Sequence, residues 1–125
     1  MLRVVACSYS DISFIPESFD TENAMFASRK KPEIWFKGII DGDIVGCGCL
    51  VLISKSRVRM SNAFILPKYR GQGLIKIILK AREDWAKING YKEADVITVK
   101  KYIPACGYKY VKQYGNGQTR YIKTL

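Results

Sequence analysis

The stretch "LPKYRGQGLIKI", from Leu66 to Ile77, combines residue types that can bind a phosphate group. Gly71 and Gly73 are separated by one residue, Arg70 precedes them, and an amphipathic pattern follows. Glycines allow an anion to approach the backbone closely, and the first turn of a helix offers unpaired N–H groups and a partial positive charge. The stretch is therefore consistent with a diphosphate site at the start of a helix. A polar turn between a strand and a helix explains the same residues equally well.

Two common nucleotide-binding motifs do not account for this loop. A Walker loop requires Gly-Lys-Ser/Thr after the glycines, and that sequence is missing. The dinucleotide fingerprint requires a third glycine and an acidic residue at the end of the next strand. Glu93 has roughly the right spacing but stands at the beginning of the predicted strand, not at its end. An anion bound here would therefore be held by another type of site.

The composition narrows the chemistry further. A chain of 125 residues, 48% of them hydrophobic, predicts one domain with one core over residues 1–125. The chain has no histidine, which excludes His-based triads, Cys/His zinc sites and the usual neutral-pH base. Cys47 and Cys49 would share one face of a strand as packed thiols, because two further ligands with suitable spacing are missing. We therefore expect no metal site.

The charge is strongly positive: Lys plus Arg total 21 against 11 for Asp plus Glu, a net charge of +10. Such a surplus suits a polyanionic ligand, a nucleic acid or an acidic partner. The lysines are spread along the chain, so an ordinary lysine-rich surface explains the charge as well. The sequence shows no signal peptide and no apolar run long enough to span a membrane. We expect a cytoplasmic protein with reduced thiols, no membrane partner, and a monomeric or homodimeric state.

Several strands precede the glycine loop and would position it. A β-branched segment predicts a first strand at Leu2–Cys7, and an irregular helical region follows at Asp11–Lys31. Three further segments with tight turns between them predict an antiparallel meander: Glu33–Ile40, Ile44–Ser54 and Val58–Leu66. Gly46 and Gly48 indicate a bulge or a close backbone approach within that meander.

A helix and three strands follow the loop. The helix is predicted from Gly73 to Asn89, with an apolar stripe of Leu74, Ile78, Ala81, Trp85 and Ile88 and with Lys76, Lys80, Glu83, Asp84 and Lys87 on the other side. The strand Glu93–Val99 can then lie parallel to the strand before the loop. A short segment with Pro104 leads to a predicted hairpin of Gly107–Tyr114 and Thr119–Leu125.

In this setting the loop resembles the signature of the GNAT superfamily of N-acetyltransferases. That signature is often written P-x-[YF]-R-G-x-G, and residues 67–75 read "PKYRGQGLI". The segments "EDWAKINGYKEADV" and "CGYKYV" are similar to the family's third helix with its fifth strand and to its late "GF" motif. The resemblance spans nearly the whole chain and is strongest over residues 58–111.

The resemblance implies both a fold and a reaction. The fold would be α/β (α+β): a mixed, mostly antiparallel sheet of six or seven strands flanked by helices, with an acyl-CoA cleft at a splayed strand pair. The reaction would transfer an acetyl group from acetyl-CoA to a primary amine without a metal. The acceptor stays open between a protein lysine or N-terminus, a nucleic acid and a small amine.

The resemblance also implies where acetyl-CoA would bind. The pantetheine arm would pair with the end of the strand before the loop, and the diphosphate would sit on N–H groups at the start of the helix. The residues concerned are Phe64, Ile65 and Leu66 for the pantetheine, and Arg70, Gly71, Gln72, Gly73, Leu74 and Ile75 for the diphosphate. The thioester would then lie near Thr98, where backbone donors would stabilise the oxyanion.

Two positions depart from the family pattern. Ile75 stands where the family has a small residue, so its side chain either crowds the phosphate or points into the core. The family's proton donor to the leaving thiolate is often a tyrosine, and the corresponding position here is Ile103. Its neighbour Tyr102 could take that role after a shift of one residue.

The general base is the least determined part of the pattern. Many family members have a glutamate on the strand before the loop, and this chain has no acid there. Asn62 or Ser61 could instead hold a water, and Asp95 or Glu93 could act only if they point into the cleft. Two other classes therefore stay open: an inactive CoA-binding or protein-interaction member of the fold, and a basic nucleic-acid-binding module that uses the run "YKYVKQYGNGQTRYIK".

Overall fold

The computed structural model of the chain describes residues 1–15 and 32–125, and most of the predicted helical region Asp11–Lys31 lies outside these ranges. Seven strands form one sheet in the order β1-β2-β3-β4-β5-β7-β6. The elements are β1 (Arg3–Cys7), α1 (Tyr9–Ile12), β2 (Glu33–Ile40), β3 (Asp43–Leu52), β4 (Arg57–Ile65), α2 (Leu74–Ile88), β5 (Glu93–Thr98), β6 (Lys109–Gln113) and β7 (Thr119–Thr124). Short 3-10 turns at Pro67–Tyr69 and Pro104–Cys106 precede α2 and β6.

Sheet topology follows the connections that the sequence predicts. Neighbouring strands pair antiparallel except β4 and β5, which pair parallel because α2 returns the chain between them. Asp41 (φ 49°) and Gly42 (φ 84°) form the two-residue turn between β2 and β3, with both residues in the left-handed region that such hairpins require. The predicted mixed, mostly antiparallel sheet is confirmed, and the predicted strand bounds agree with the observed ones to within two residues.

Two hydrophobic layers cover the sheet, one on each face. On one face, α2 packs through Leu79 and Ala86 against Leu50, Val58 and Met60. On the other face, Ile12 and Ile15 pack against Trp35, Cys47, Cys49 and Val51. Cys47 and Cys49 are thus packed thiols in one cluster, and none of the four cysteines forms a disulfide bond.

The predicted apolar stripe of α2 is partly wrong. Leu74 and Ile78 are buried as predicted, but Ile88 is 84% exposed because it lies at the end of the helix, beyond the sheet. Arg82 and Glu83 are buried instead, at 2% and 6% exposure. The buried face of the helix therefore contains two charged side chains in place of part of the apolar stripe.

The two charges reach different partners. Glu83 accepts hydrogen bonds from the Tyr108 hydroxyl (2.7 Å) and from Lys123 Nζ (3.1 Å), so it fixes the start of β6 against α2. Burial raises the pKa of the Tyr108 phenol, and the hydrogen bond to Glu83 raises it further. Arg82 points toward β3 and β4, where no side chain intervenes at Gly48: a Cβ there would lie 3.0 Å from Arg82 Nε. The close approach predicted at this glycine is confirmed.

A β-bulge interrupts β4 opposite Gly48. Cys47 pairs with Phe64, and Cys49 pairs with Ser61, so β4 has one extra residue between these pairs. Asn62 lies in the bulge with φ 49°, an unusual conformation for a residue other than glycine. The bulge bends β4 away from β5 at the place where their ladder ends.

Among the described helices, none is long and apolar enough to cross a membrane. Within residues 1–15 and 32–125, no group of three or more His, Cys, Asp or Glu side chains could hold a metal ion.

Candidate active site

The parallel pair of β4 and β5 separates part of the way along β4. Its ladder runs from Arg57–Glu93 to Met60–Val96, whereas β4 continues to Ile65. In the described part of the chain, residues 61–65 have no strand partner on the β5 side. Two cavities lie along this unpaired segment.

One cavity, which we call the loop cavity, has a volume of about 430 Å³ and lies at the glycine loop. It is lined by the end of β4, the loop and the first turn of α2, with Phe64, Ile65, Tyr69, Arg70, Gly71, Gly73, Leu74 and Ile75. The other, the cleft cavity, has a volume of about 500 Å³ and lies where β4 and β5 separate. Ala63, Lys100 and Tyr102 line both cavities, so the two are adjacent.

Backbone conformation makes the loop open to an anion. Gly71 (φ 83°) and Gly73 (φ 75°) are left-handed, and a Cβ at either position would meet no atom within 4 Å. Gly73 is the N-cap residue of α2 and offers no side chain to cap the first-turn N–H groups. These N–H groups and the positive end of the helix dipole can therefore bind an anion at the N-terminus of α2.

Arg70 links the loop to the end of β4. Its Nε donates a 2.8 Å hydrogen bond to the carbonyl oxygen of Ile65, and its guanidinium lies 4.9 Å from the centre of the Phe64 ring. Leu66 is held on the other side, since its N–H donates to the carbonyl oxygen of Val45 at 2.9 Å. The backbone around Ile65 is therefore partly paired within the protein.

The predicted acetyl-CoA residues mostly converge on the loop cavity. Of the predicted residues, Leu66 and Gln72 do not line this cavity, and Gln72 is exposed to solvent. Ile75 packs against the cluster formed by Val45, Ile65, Leu74 and Ile78, so its side chain contributes to the core as well as to the cavity wall. Its bulk is accommodated by that cluster.

Asn62 and Tyr102, the two predicted catalytic residues, both line the cleft cavity. Asn62 is 8% exposed, and its buried Nδ2 atom donates no hydrogen bond to a described residue. Tyr102 is half-buried. Burial raises the pKa of its phenol, and the positive charge of Arg82 offsets part of this rise. Ile103 is buried at 3% exposure and lines only the cleft cavity with an apolar side chain, whereas Tyr102 lines both cavities and carries a hydroxyl group.

The two acids considered as bases are held in ion pairs. Asp95 is fully buried and accepts two hydrogen bonds from Arg59, at 2.8 and 2.9 Å, and one from Arg120 at 3.0 Å. Glu93 accepts a 2.8 Å hydrogen bond from Arg57. Neither acid lines the cleft cavity. These ion pairs could not be predicted from the sequence, because they depend on the β4–β5 register.

Arg82 is the cavity residue that the sequence analysis missed. It reaches the cleft cavity from α2, and its Nη1 donates to the carbonyl oxygens of Cys49 (2.9 Å) and Ser61 (3.2 Å). A signal was present, since Leu74, Ile78 and Arg82 are spaced four apart on one helix face. A charged residue in such a stripe is normally expected at the edge of the buried face, in contact with solvent. Arg82 was therefore not predicted to line a cavity.

The run "YKYVKQYGNGQTRYIK" is less suited to nucleic acid than its composition indicates. Tyr108 is buried against Glu83, whereas Tyr110 on β6 is 64% exposed. Lys112 contacts the ring of Tyr114 at 4.8 Å, and both belong to the hairpin between β6 and β7. In the described structure the run forms an edge hairpin in which Tyr108 is buried, Tyr110 is exposed, and Tyr110 pairs with Tyr121 across the two strands.

The sheet thus separates after a bulge, and a glycine loop and the start of a helix lie at the opening. The family model of the GNAT acetyltransferases matches residues 3–108. The chain therefore belongs to the GNAT acetyltransferase family, and the resemblance seen in its loop is confirmed. A comparison with curated protein sequences finds no match.

Solved structures share the fold at low sequence identity. An acetyltransferase from Elizabethkingia anophelis with acetyl-CoA bound is 13% identical, with a TM-score of 0.76 over 99% of this chain and 98% of that one. A Klebsiella pneumoniae protein described as an acyl-CoA N-acyltransferase is 21% identical, with a TM-score of 0.80 over 100% and 98%. The PaiA N-acetyltransferase of Thermoplasma acidophilum, in complex with coenzyme A, is 14% identical, with a TM-score of 0.78 over 100% and 99%.

Proposed function

We propose that this protein is an N-acetyltransferase that transfers an acetyl group from acetyl-CoA to a primary amine. The observation that carries the proposal is the pair of adjoining cavities along the unpaired segment of β4, with the left-handed glycine loop at one end and Tyr102 between them. The similar fold of the Elizabethkingia protein with acetyl-CoA and of the Thermoplasma protein with coenzyme A supports the choice of donor.

Acetyl-CoA would occupy both cavities. The diphosphate would accept hydrogen bonds from backbone N–H groups of residues 71–75 in the loop cavity, because the Arg70 N–H already donates to the carbonyl oxygen of Pro67. The pantetheine arm would follow β4 at Phe64, Ile65 and Leu66 toward the cleft cavity. Because the Ile65 carbonyl already accepts from Arg70 and the Leu66 N–H already donates to Val45, the arm would use the remaining backbone groups of this segment.

Transfer would take place in the cleft cavity. The lone pair of a neutral amine attacks the thioester carbon, the C–S bond breaks, and the thiolate leaves with its electron pair. Tyr102 would donate a proton to that thiolate, which its raised pKa permits because the phenol stays protonated at neutral pH. A water held by Asn62 would accept the amine proton, since Asp95 and Glu93 are held in ion pairs.

The remaining properties are proposed on general grounds. We propose one domain over residues 1–125 and a cytoplasmic location, which agrees with four cysteines outside disulfide bonds and with a co-substrate that is made inside cells. A protein or nucleic-acid acceptor would suit the net charge of +10. We also propose a monomer or a homodimer.

Titration calorimetry with acetyl-CoA, followed by a thiol-release assay over a panel of amines and peptides, tests the function. We expect acetyl-CoA to bind with micromolar affinity and at least one amine to release free thiol. No binding at millimolar acetyl-CoA would refute the transferase. Binding without thiol release over the panel would instead favour an inactive CoA-binding member of the family.

A further inference from the structure

The cleft cavity contains a buried cation without a carboxylate partner. Arg82 is 2% exposed, and its three hydrogen bonds go to the backbone carbonyls of Cys49, Ser61 and Ile78. No acidic side chain of the described residues forms a salt bridge with it. Carbonyl dipoles satisfy hydrogen-bond donors, but they do not neutralise a full charge, and an unpaired buried charge is costly.

One end of this guanidinium stays available. Nε and Nη1 make all three hydrogen bonds, so Nη2 donates to no described residue. Burial lowers the pKa of Arg82, which reflects the missing compensation of its charge. A guanidinium with a free nitrogen in a cavity is well suited to bind a carboxylate.

The rest of the cavity lining also favours a carboxylate. Lys100 is a further cation in its lining, Arg59 is already paired with Asp95, and no described lining residue is acidic. The buried Nδ2 of Asn62 is a further donor without a described partner. Leu79 and Ile103 supply apolar wall between these polar groups. A volume of about 500 Å³ falls within the range of small-molecule sites and exceeds what a two-carbon acetyl group needs.

We propose that the cleft cavity binds a carboxylate group through Arg82, with Asn62 as an additional donor, beside the carbonyl that is transferred. This inference rests on the proposed function, because it takes the cavity to contain the thioester. The carboxylate has two sources: the far end of a dicarboxylic acyl group on CoA, or the amine acceptor itself. It takes no part in bond making, so the amine still displaces the thiolate as described above.

The first experiment compares acyl donors. Calorimetry is performed with succinyl-CoA and butyryl-CoA, whose acyl chains have the same length but differ in charge at the end. If the acyl group provides the carboxylate, succinyl-CoA binds roughly tenfold more tightly, in line with a charge-assisted hydrogen bond. Arg82→Met removes this preference, while Lys87→Met, an exposed cation on the same helix, leaves it unchanged.

The second experiment compares acceptors with acetyl-CoA as the donor. Thiol release is measured for free amino acids and for their carboxamides, which keep the amine and lose the carboxylate. If the acceptor provides the carboxylate, the amino acids show a KM roughly tenfold lower than the carboxamides. Arg82→Met again abolishes the difference.

The outcomes separate this inference from the proposed function. Absence of acetyl-CoA binding refutes the function, whereas acetyl-CoA binding without a carboxylate preference in either experiment refutes the inference alone. A preference that persists in Arg82→Met also overturns it. If Arg82→Met fails to fold, the wild-type comparisons still test whether a carboxylate is preferred. Arg82→Lys, which keeps the charge in a different geometry, is then expected to retain only part of the preference, and an undiminished preference overturns the role of Arg82.

Discussion

Arg70 Nε and the carbonyl oxygen of Ile65 are joined by a 2.8 Å hydrogen bond that connects the glycine loop to the end of β4. The contact fixes the loop against the strand through the protein's own atoms. It also places the guanidinium over Phe64 at 4.9 Å, so its charge stays at the wall of the loop cavity. The arrangement preorganises the proposed diphosphate site, which lowers the entropic cost of binding.

Replacing Arg70 by alanine should therefore weaken binding of acetyl-CoA. We expect a loss of about 1.5–3 kcal/mol, or roughly ten- to hundredfold in Kd, from the missing charge and the looser loop. Calorimetry with Arg70→Ala and Lys68→Ala measures it, because Lys68 is a neighbouring exposed cation in the same loop. An equal loss in both variants would mean that only the general positive charge matters.

Gly73 allows a sharper test of the loop. An aspartate there brings a negative charge to the start of α2, and we expect Gly73→Asp to abolish detectable acetyl-CoA binding. Gly90→Asp is the matched control, since Gly90 (φ 89°) follows the other end of the helix and a Cβ there also meets no atom within 4 Å. Both variants carry similar backbone strain, so a similar loss of binding in each would refute the assignment of the loop.

Local patterns made the loop and the sheet predictable. Hairpin turns, strand alternation and the left-handed glycines are set by neighbouring residues, and the prediction for Glu33–Ile40 agrees with β2 at both ends. Residues 70–75 became candidates for a diphosphate site because a glycine loop with an arginine precedes a predicted helix start. The order of the predicted elements agreed with that of the family, and the resemblance then favoured this site over a polar turn.

The buried charges could not be predicted in the same way. Glu83 and Arg82 lie inside because Tyr108, Lys123 and the backbone of the β4 bulge meet them, and these partners are distant in sequence. The pairing of Asp95 with arginines from β4 and β7 likewise depends on register. Such contacts become visible only when the sheet is assembled, and they decide which side chains line the cleft.

Tyr102 should act as the proton donor to the leaving thiolate. We expect Tyr102→Phe to lower kcat about a hundredfold near pH 7. Because burial raises the pKa of Tyr102 above its usual value of 10.0, the wild type should keep its acid through pH 10. The ratio of wild-type to variant rates should shrink above about pH 8.5, where a thiolate leaves without a proton.

A rate profile from pH 6.5 to 10 measures this ratio, with saturating acetyl-CoA and one active amine. Tyr110→Phe is the control, because it removes an exposed tyrosine hydroxyl on β6, 64% exposed, away from both cavities. A ratio that stays constant with pH would assign Tyr102 a packing role instead.

Because the Cys47 thiol is buried, we expect the protein to lose stability at alkaline pH. Burial raises the pKa of its thiol from 9.0 to about 12, although the charge of Arg82 acts in the opposite direction. The folded state therefore retains the proton while the unfolded state loses it above pH 9, so stability is complete below pH 9 and declines between pH 9 and 12. By pH 10 the free energy of unfolding should fall by roughly 1 kcal/mol through this group alone.

Urea unfolding at pH 8 and pH 10 measures the change. The decline should be smaller in Cys47→Ala but not missing, because burial also raises the pKa values of Cys7, Tyr102 and Tyr108. Val45→Ala, which opens a cavity in the same strand without removing a titratable group, should show the full wild-type decline. A decline of equal size in Cys47→Ala would contradict the assignment to this thiol.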